Sequence, residues 1–386
     1  MFSEKQIEKI KKKETPFYVY DLNLLQKTLI ELNREAGSFK IHYALKANSN
    51  PKLLKLIKEA GLGADCVSGN EVKQAIKSGF YSNEIVFAGV GKTDTEIIYA
   101  LEQNIFCFNV ESISEIIVIN QLASKLNKKA SIALRINPHV DALTHKYITT
   151  GLEENKFGIN AHELNEVLKI LKESEHINLI GLHFHIGSQI TSLAPFKQLC
   201  LRANEINDWF LKQGICLQLI NLGGGLGINY DDPDSSSILD FKTYFDVFRK
   251  YLKLHSDQKI HFELGRSIVG QCGTLIASVV HVKNGLKTNF VILDAGMTEL
   301  LRPALYNAYH KIENISSESN EYFKYDLVGP ICESSDCFGK SILLPETKRG
   351  DLIAIRSTGA YGEAMTLKYN LRKTAGKFYL INNLTA

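Results

Sequence analysis

The regular alternation of short apolar segments with amphipathic ones is the feature that most limits what this chain can fold into. From residue 41, eight runs rich in β-branched, aromatic and other apolar residues alternate with segments whose apolar positions recur at helical spacing. Eight strand–helix units in about 230 residues match the size and rhythm of a (β/α)8 barrel, which we expect over residues 26–270. An open doubly wound sheet fits less well, because eight repeats would make it unusually wide and no G-x-G-x-x-G motif follows the first strand. The predicted strand segments are IHYALKAN, GADCVS, EIVFAG, IFCFNV, ASIALRINP, INLIGLHFHIG, LQLINLGGG and IHFELGR.

Local signals mark where some of the intervening helices begin. Asn50 can cap a helix that has Pro51 in its first turn, and Ser112 with Glu115 three residues later predicts a capping box. The predicted helices cover residues 51–60, 70–78, 94–102, 114–126, 161–172, 196–211 and 241–254.

The rhythm changes near residue 270, after which strand-like runs follow one another without long helices. The runs TLIASVVHVK, NFVILDAG, FKYDLVGP, DLIAIRSTGAYG and KFYLI indicate a separate all-β domain over residues 271–386. The N-terminal run FYVY is predicted to add a strand, so that residues 1–25 join this domain and the barrel is inserted between its two parts. The polar run DDPDSSS at residues 231–237 is predicted to be an exposed loop on the rim of the barrel.

Composition and charge restrict the class of partner. Lysine and arginine total 45 against 42 aspartates and glutamates, a net charge of +3, which is too balanced to indicate nucleic acid or a membrane surface. No apolar run approaches the roughly 18 residues of a membrane helix, and the N-terminal segment has no signal-peptide-like apolar stretch, so a cytoplasmic location is expected. The seven cysteines are scattered and odd in number, which favours free thiols over a disulfide framework.

No metal site is expected in this sequence. Cys332 and Cys337 have no nearby histidine partner, which makes zinc a weak interpretation there. His183 and His185 share one face of a strand, but no third ligand follows at a suitable spacing, so a metal stays a minor alternative. We interpret His183 as a satisfied core residue.

Reactive groups are expected at one end of such a barrel, because the loops that follow the strands converge at the carboxyl ends. Lys46 follows the apolar end of the first strand, where partial desolvation would make its amine nucleophilic. A strand-end lysine that reaches into water is the alternative. The predicted strand ends carry the polar residues Lys46, Asp65, Asn109, Arg135, His185, Glu263 and Arg266, together with the glycines at 223–225.

Two glycine-containing turns indicate where a phosphate would bind. The glycine run at 223–225 ends the seventh strand and the Glu-Leu-Gly-Arg turn at 263–266 ends the eighth, which are the usual phosphate-binding loops of a barrel. A simple tight turn is the alternative for the glycine run. A lysine nucleophile opposite a phosphate cradle predicts a pyridoxal 5'-phosphate site in which Lys46 bonds to the cofactor. Glu263 is placed to keep the pyridine nitrogen protonated, or else to pair with Arg266, and His185 is placed to stack on the ring.

Ten segments of this sequence resemble the alanine-racemase-like barrel decarboxylases that use pyridoxal phosphate, and the resemblance covers nearly the whole chain. Each segment alone is weakly specific, but together they are highly specific. One departure is Leu264, which stands where the family usually has proline in a Glu-Pro-Gly-Arg turn, and we expect it to loosen the phosphate loop slightly. The segments are YALKANSN (43–50), GADCVSGNE (63–71), RINPHVDALTH (135–145), TGLEENKFGI (150–159), HFHIGSQI (183–190), NLGGGLGI (221–228), ELGR (263–266), DAGMTELLRPALYNAYH (294–310), GPICESSDCF (329–338) and GAYGEAM (359–365).

The resemblance implies an amino-acid decarboxylase that carries pyridoxal phosphate on Lys46, with Cys332 returning a proton to the α-carbon. It also implies a homodimer with two shared sites, because in this family the loop containing Cys332 comes from the second subunit. The expected catalytic residues are Lys46, Cys332, Glu263 and His185. The expected cofactor-binding residues are Lys46, Asp65, His185, Ser188, Gly224, Gly225, Glu263, Gly265, Arg266 and Tyr361, and the expected substrate contacts are Arg266, Arg302, Tyr306, Glu333 and Tyr361.

Charge counting at the far end of the expected pocket predicts the substrate. Diaminopimelate presents an ammonium and a carboxylate there, whereas lysine and ornithine present an ammonium alone. Arg302, with Arg266 nearby, would pair with that carboxylate and Glu333 would receive the ammonium. A structural or intersubunit ion pair is the alternative for Arg302 and Glu333. The expected reaction is decarboxylation of meso-2,6-diaminopimelate to L-lysine and CO2, the last step of lysine biosynthesis.

Three rival functions are left by the sequence. A decarboxylase of ornithine, lysine or arginine would share the architecture, but the paired arginines argue against it. An amino-acid racemase would place an arginine against the pyridine nitrogen, where this chain has Glu263. A non-catalytic relative that regulates by binding a partner protein is disfavoured by the presence of Lys46, Glu263 and Cys332 together.

Overall fold

The computed structural model describes residues 2–141, 156–255 and 257–381, which divide into two units. The barrel unit comprises Leu29–Gly227 and Asp240–Gly265, and the β unit comprises Met1–Thr28, Ile228–Leu239 and Arg266–Ala386. Residues 231–237, predicted as a rim loop of the barrel, belong to the β unit instead, where Asp234 pairs with Arg356. The proposed domain boundaries near residues 26 and 270 stay a prediction. Residues 142–155, which include parts of two family segments (142–145 and 150–155), lie outside the described residues.

The strands follow the predicted alternation closely. All eight strand segments expected for the barrel, and each run expected for the β domain, contain a strand. In chain order the strands are β1 (Phe17–Asp21), β2 (Lys40–Ala44), β3 (Gly63–Cys66), β4 (Ile85–Phe87), β5 (Cys107–Val110), β6 (Ala130–Arg135), β7 (Ile177–His183), β8 (Leu219–Asn221), β9 (Lys259–Leu264), β10 (Gly273–Asn284), β11 (Asn289–Leu293), β12 (Ile312–Asn314), β13 (Tyr322–Val328), β14 (Cys337–Pro345), β15 (Leu352–Ile355) and β16 (Gly376–Leu380).

The helices occupy the segments between these strands. The helices are α1 (Glu4–Lys11), α2 (Leu22–Ala36), α3 (Pro51–Glu59), α4 (Gly69–Lys77), α5 (Asp94–Glu102), α6 (Ile113–Lys125), α7 (Leu164–Glu173), α8 (Ala194–Lys212), α9 (Phe241–Tyr251), α10 (Arg266–Val269) and α11 (Arg302–Tyr306), with short 3-10 turns at Leu45–Ala47, Ser82–Glu84, Ala161–Glu163 and Glu363–Met365. Six elements were not predicted from the sequence: the two N-terminal helices, the short helices α10 and α11, and the strands β12 and β14. No helix in the described part of the chain is long and apolar enough to cross a membrane.

One predicted cap forms as expected and the other forms only in part. The Asn50 side chain accepts a hydrogen bond from the Lys52 amide at 3.0 Å, which caps α3. Ser112 likewise accepts from the Glu115 amide at 3.2 Å, but the Glu115 carboxylate accepts from the Glu111 amide and binds Lys92. The buried Lys92 amine attracts this carboxylate, so the predicted capping box is wrong in its second half.

The barrel unit is a closed cylinder of eight parallel strands, β2 to β9 in order. Closure occurs where β2 pairs with β9, with Lys40 opposite His261 and His42 opposite Glu263. The strands are short and almost entirely buried, as expected for parallel strands covered by helices. Apolar side chains from five neighbouring strands fill one part of the core: Val86, Cys107, Ala133, Ile180 and Leu219.

The β unit is built on a mostly antiparallel sheet with the order β12-β15-β10-β11-β13-β14. The predicted N-terminal strand is confirmed: β1 pairs antiparallel with β10 and parallel with β16. The sequence-distant ends of the chain therefore meet in one sheet. Its core contains Ile10, Phe17, Val19, Ile276, Leu352, Ala354 and Leu380.

A pair of buried histidines lies where the barrel closes. His42 Nε2 is 3.0 Å from His261 Nδ1, and His42 Nδ1 is 3.1 Å from the Glu84 carbonyl oxygen. Because a carbonyl only accepts, His42 donates through Nδ1, and in the neutral pair its Nε2 accepts from His261 Nδ1. Burial lowers the pKa of His42 to about 4, and burial together with His42 lowers the pKa of His261 to about 3.

We expect these histidines to make the barrel sensitive to acid. Their pKa values in the folded protein lie below the ordinary value of 6.5. The contribution of the neutral pair to the free energy of unfolding is therefore complete above about pH 6.5 and is lost as the pH falls towards 4. Each unit of pKa difference corresponds to about 1.4 kcal/mol. The urea midpoint should therefore fall more between pH 7.5 and 5 in the wild type than in a His42→Gln/His261→Gln variant. The exposed His162→Gln variant serves as control, and equal losses in all three proteins would contradict the prediction.

Candidate active site

Polar side chains gather at the carboxyl ends of the barrel strands, as the sequence predicted. Lys46 lies in the 3-10 turn that follows β2, and Asp65 lies in β3. Since the strands are parallel and the cylinder is closed, these ends share one rim. The other polar residues at this rim are Asn109, Glu111, Arg135, His183, His185, Asn221 and Glu263.

Glu263 is the most constrained side chain of the rim. Its Oε1 accepts hydrogen bonds from Asn109 Nδ2 and Asn221 Nδ2, both at 2.7 Å, and its Oε2 accepts from His183 Nε2 at 2.8 Å. These donors come from β5, β8 and β7, so the carboxylate ties together strands on several sides of the cylinder. Burial opposes ionisation of Glu263, but His183 and Lys46 outweigh it and hold the pKa of the carboxyl well below its usual range.

His183 is therefore more than a satisfied core residue. Its Nε2 bonds Glu263, while its buried Nδ1 has no hydrogen-bond partner among the described residues. The interpretation of His183 as a satisfied core residue is therefore incomplete, and Asn221 was not predicted from the sequence. Each of them is a polar residue at the end of a strand that faces Glu263, and this position is the signal that could have identified His183 and Asn221.

Lys46 and Asp65 form an ion pair on the same rim. Lys46 Nζ lies 3.1 Å from Asp65 Oδ2, and the Lys46 side chain is 33% exposed whereas that of Asp65 is fully buried. Burial and the nearby Glu263 charge raise the pKa of Asp65 to about 6, although Lys46 opposes this shift. The carboxylate fixes where the amine lies, and the predicted desolvation of that amine stays a prediction.

His185 is held neutral beside the glycine run. The Gly224 amide donates to His185 Nδ1 at 3.3 Å, so the ring proton resides on Nε2. Burial lowers the pKa of His185 well below its usual value, and the positive charges of Arg135 and Lys46 add to the effect. Arg135 is itself fixed by Glu111, whose Oε1 lies 2.7 Å from Arg135 Nη1.

The glycine run has no room for side chains. A Cβ on Gly224 would lie 2.1 Å from the Glu263 carbonyl oxygen, and a Cβ on Gly225 would lie 2.8 Å from the Gly187 carbonyl oxygen. Gly225 also has a φ of +110°, which other residues rarely adopt. The run is thus packed between the segment that follows β7 and the end of β9, which a simple tight turn would not require. Ser188 follows Gly187 in the first of these segments.

The turn after β9 packs against the turn that carries Lys46. A Cβ on Gly265 would lie 3.0 Å from Ala47 Cβ and 3.1 Å from Ala44 Cβ. Leu264, the departure from the family pattern, is fully buried and lies opposite Tyr43 in the sheet. Its expected effect on the phosphate loop stays a prediction.

The β unit contains a second cluster of predicted site residues. Arg266 Nη1 and Arg302 Nη1 both donate to the Tyr230 hydroxyl, at 2.6 and 2.9 Å. The Arg266 guanidinium also lies over the ring of Tyr361, 4.8 Å from its centroid. Both arginines are nearly fully buried. Tyr230 and its neighbour His310 were not identified from the sequence.

Cys332 and Glu333 lie in an exposed loop of the β unit, outside the arginine cluster. Asp336 holds the base of this loop, because its carboxylate accepts from the Ile331 amide at 2.7 Å and the Met297 amide at 2.6 Å. Cys332 is a free, exposed thiol, and Glu333 accepts from the Tyr369 hydroxyl at 3.0 Å. Tyr306, the last residue of α11, is half-buried.

Comparisons with known proteins agree with this architecture. A family described as "Pyridoxal-dependent decarboxylase, pyridoxal binding domain" matches residues 22–270. The chain is 56% identical over 370 residues to the diaminopimelate decarboxylase of Bacteroides thetaiotaomicron, covering 95% of this chain and 96% of the relative. The crystal structure of the Helicobacter pylori diaminopimelate decarboxylase complexed with L-lysine is 40% identical with a TM-score of 0.92, covering 97% of this chain and 94% of that one. That of the M. jannaschii diaminopimelate decarboxylase in complex with L-lysine is 37% identical with a TM-score of 0.86, covering 97% and 89%.

A closed parallel barrel with a polar carboxyl-end rim, joined to a β unit, is the architecture of the barrel-type pyridoxal-dependent decarboxylases. The extent and identity of these matches make the assignment specific: the chain belongs to this family of lyases, among the diaminopimelate decarboxylases.

Proposed function

We propose that this chain decarboxylates meso-2,6-diaminopimelate to L-lysine and CO2 with pyridoxal 5'-phosphate as cofactor. The observation that carries the substrate assignment is the buried guanidinium of Arg302, whose hydrogen-bond partners among the described residues are Tyr230 and His310 and not a carboxylate. The relatives are diaminopimelate decarboxylases and two related crystal structures contain L-lysine, which supports the same assignment.

The barrel rim has the chemistry to hold pyridoxal phosphate. Within residues 2–141, 156–255 and 257–381, three buried polar atoms of this rim have no hydrogen-bond partner: Asp65 Oδ1, Asn109 Oδ1 and His183 Nδ1. A polar ligand on the rim suits such atoms better than an apolar one. We assign cofactor attachment to Lys46, contact with the ring to His185, and phosphate binding to the remaining residues Ser188, Gly224, Gly225, Gly265, Arg266 and Tyr361.

Glu263 is assigned to hold a proton on the pyridine nitrogen. A carboxylate offers about four lone-pair sites, and Asn109, Asn221 and His183 use three of them, so one is left for an N–H donor. Pyridoxal phosphate, when bound, supplies an electron sink for the pair released by the breaking carbon–carbon bond. An ionised Glu263 favours that role because it stabilises the positively charged ring.

Residues of the β unit are assigned to three tasks: binding the substrate carboxylate, binding the remote ammonium, and donating a proton to the α-carbon. Arg302, with Arg266 held by the same tyrosine, binds the carboxylate that the reaction does not remove, and Tyr361 and Tyr306 complete this subsite. Glu333 receives the remote ammonium. Cys332 delivers a proton from its Sγ to the α-carbon after CO2 has left.

We further propose a homodimer in which the loop carrying Cys332 and Glu333 completes the site of the second subunit. Both residues are exposed, while Asp336 fixes the base of the loop, so the loop presents a thiol and a carboxylate outwards in a defined conformation. The nearly balanced charge supports the absence of nucleic-acid and membrane partners, and we also propose a cytoplasmic location.

The rival functions fit the described residues less well. A decarboxylase for lysine or ornithine would leave Arg302 buried without a counter-ion. A racemase would be expected to place an arginine where this chain has an ionised glutamate held by three donors. A non-catalytic relative would not need the Lys46–Asp65 pair or the exposed thiol of Cys332.

The substrate assignment is tested by CO2 release from meso-diaminopimelate, L-ornithine, L-lysine and L-arginine by the protein loaded with cofactor. We expect kcat/KM for meso-diaminopimelate to exceed the others by at least about 100-fold, because leaving a buried charge unpaired costs about 3–5 kcal/mol. Faster turnover of ornithine would reject the assignment, and a protein without cofactor absorbance or turnover would favour the regulatory alternative.

Cofactor attachment is tested by borohydride reduction and peptide mapping. The adduct should be found on the peptide containing Lys46, and Lys46→Ala should form none and should lose turnover. Lys55→Ala is the control, since this lysine is exposed on α3 and its side chain is 74% accessible. An adduct that persists in Lys46→Ala would refute the assignment of this residue.

A further inference from the structure

We infer that Tyr230 and His310 are positioning residues for substrate specificity, which hold Arg302 through neutral acceptors so that its charge stays available to the remote carboxylate of the substrate. The inference rests on the proposed function and deepens it. It concerns residues of the β unit alone, in the segment Ile228–Leu239 and in the stretch between α11 and β12.

The two acceptors engage the same nitrogen of Arg302. Nη1 lies 2.9 Å from the Tyr230 hydroxyl oxygen and 2.8 Å from His310 Nε2. A guanidinium carries two hydrogens on each terminal nitrogen and one on Nε, so these bonds use both hydrogens of Nη1. Nη2 and Nε, which have no hydrogen-bond partner in the described part of the chain, remain as the side-on fork that fits a carboxylate.

His310 has the tautomer that this arrangement requires. Its Nδ1 lies 2.8 Å from the Arg356 carbonyl oxygen and must donate to it, which leaves the lone pair on Nε2 for Arg302. Burial and the charge of Arg302 lower the pKa of His310 to about 3, so the ring is neutral at ordinary pH. Its ring packs edge-on against Tyr230, with centroids 4.9 Å apart.

Tyr230 accepts from two guanidinium groups at once. Its hydroxyl oxygen receives Arg266 Nη1 at 2.6 Å and Arg302 Nη1 at 2.9 Å, which holds two like charges next to each other. Burial and repulsion from Arg266 lower the pKa of Arg302, although Tyr230 and Tyr361 oppose this shift. A carboxylate in place of either acceptor would neutralise Arg302 and remove the attraction for an anionic substrate.

The segment that carries Tyr230 is fixed by an ionic clamp. Arg356 binds Asp234 and Glu313, each at 2.8 Å, and the backbone oxygen of the same arginine accepts from His310. The Gln271 side chain also donates to the Asn229 carbonyl oxygen at 3.1 Å. One residue, Arg356, thus positions both neutral acceptors relative to each other.

The test compares holoenzyme binding of L-lysine with that of 1,5-diaminopentane, which lacks the carboxylate. The Kd of 1,5-diaminopentane divided by the Kd of L-lysine reports how strongly the carboxylate is recognised. We expect Tyr230→Phe and His310→Leu each to lower this ratio by at least about 10-fold, the equivalent of about 1.4 kcal/mol. The KM for meso-diaminopimelate should rise correspondingly, while kcat changes by less than about threefold, as for an interaction made equally in the ground and transition states.

Two further variants separate positioning from general structural damage. His310→Gln retains an acceptor for Arg302 and should keep the ratio near the wild-type value, whereas Tyr325→Phe removes a hydroxyl from another buried tyrosine of the β unit and should leave it unchanged. Tyr230→Phe removes a single oxygen, so it remains the decisive variant if His310→Leu fails to fold.

The outcomes distinguish the inference from the proposed function. Wild-type turnover of meso-diaminopimelate with an unchanged binding ratio in Tyr230→Phe would overturn the inference, as would a loss of kcat at constant KM. A wild-type protein that binds L-lysine and 1,5-diaminopentane equally would instead contradict the substrate assigned under the proposed function.

Discussion

The site depends on the hydrogen bonds that hold the buried carboxylate of Glu263. An ionised group inside a barrel is tolerated only when hydrogen bonds replace its lost solvation, and here Asn109, Asn221 and His183 supply three such bonds. These donors stand on different strands, so they reach one carboxylate only if the cylinder closes in the observed register. The same register places Lys46 and Asp65 on the rim and packs the glycine run against the Glu263 backbone. Fold and chemistry are therefore linked through one side chain.

The two units differ in how their buried charges are stabilised. In the barrel unit, donors surround Glu263 and stabilise its negative charge before any ligand binds. In the β unit, Tyr230 and His310 orient Arg302 without a compensating charge, which leaves this guanidinium suited to an anionic ligand. A stabilised anion fits a permanent role towards a cofactor, whereas an uncompensated cation fits recognition of a substrate that comes and goes.

Much of this arrangement could be predicted from the sequence, and the rest depends on pairings that the sequence does not encode locally. The strand–helix rhythm predicted the barrel, and the rule that loops meet at the carboxyl ends located Lys46, Asp65 and Glu263 on one rim. The donors of Glu263 could not be assigned, because Asn109 lies 154 residues away and reaches it only across the closed cylinder. Glu115 was misassigned as a cap partner since the competing cation, Lys92, is 23 residues distant. Tyr230 was missed because its segment, adjacent in sequence to β8, belongs to the β unit.

The most direct measurement of the central claim is the protonation state of the cofactor ring. Nitrogen NMR of the protein reconstituted with pyridoxal phosphate labelled at the ring nitrogen should give the shift of a protonated pyridinium from pH 6 to 9, and that signal should change to the unprotonated form in Glu263→Gln. A wild-type ring that is unprotonated at neutral pH, or one whose shift is the same in both proteins, would contradict the role assigned to Glu263.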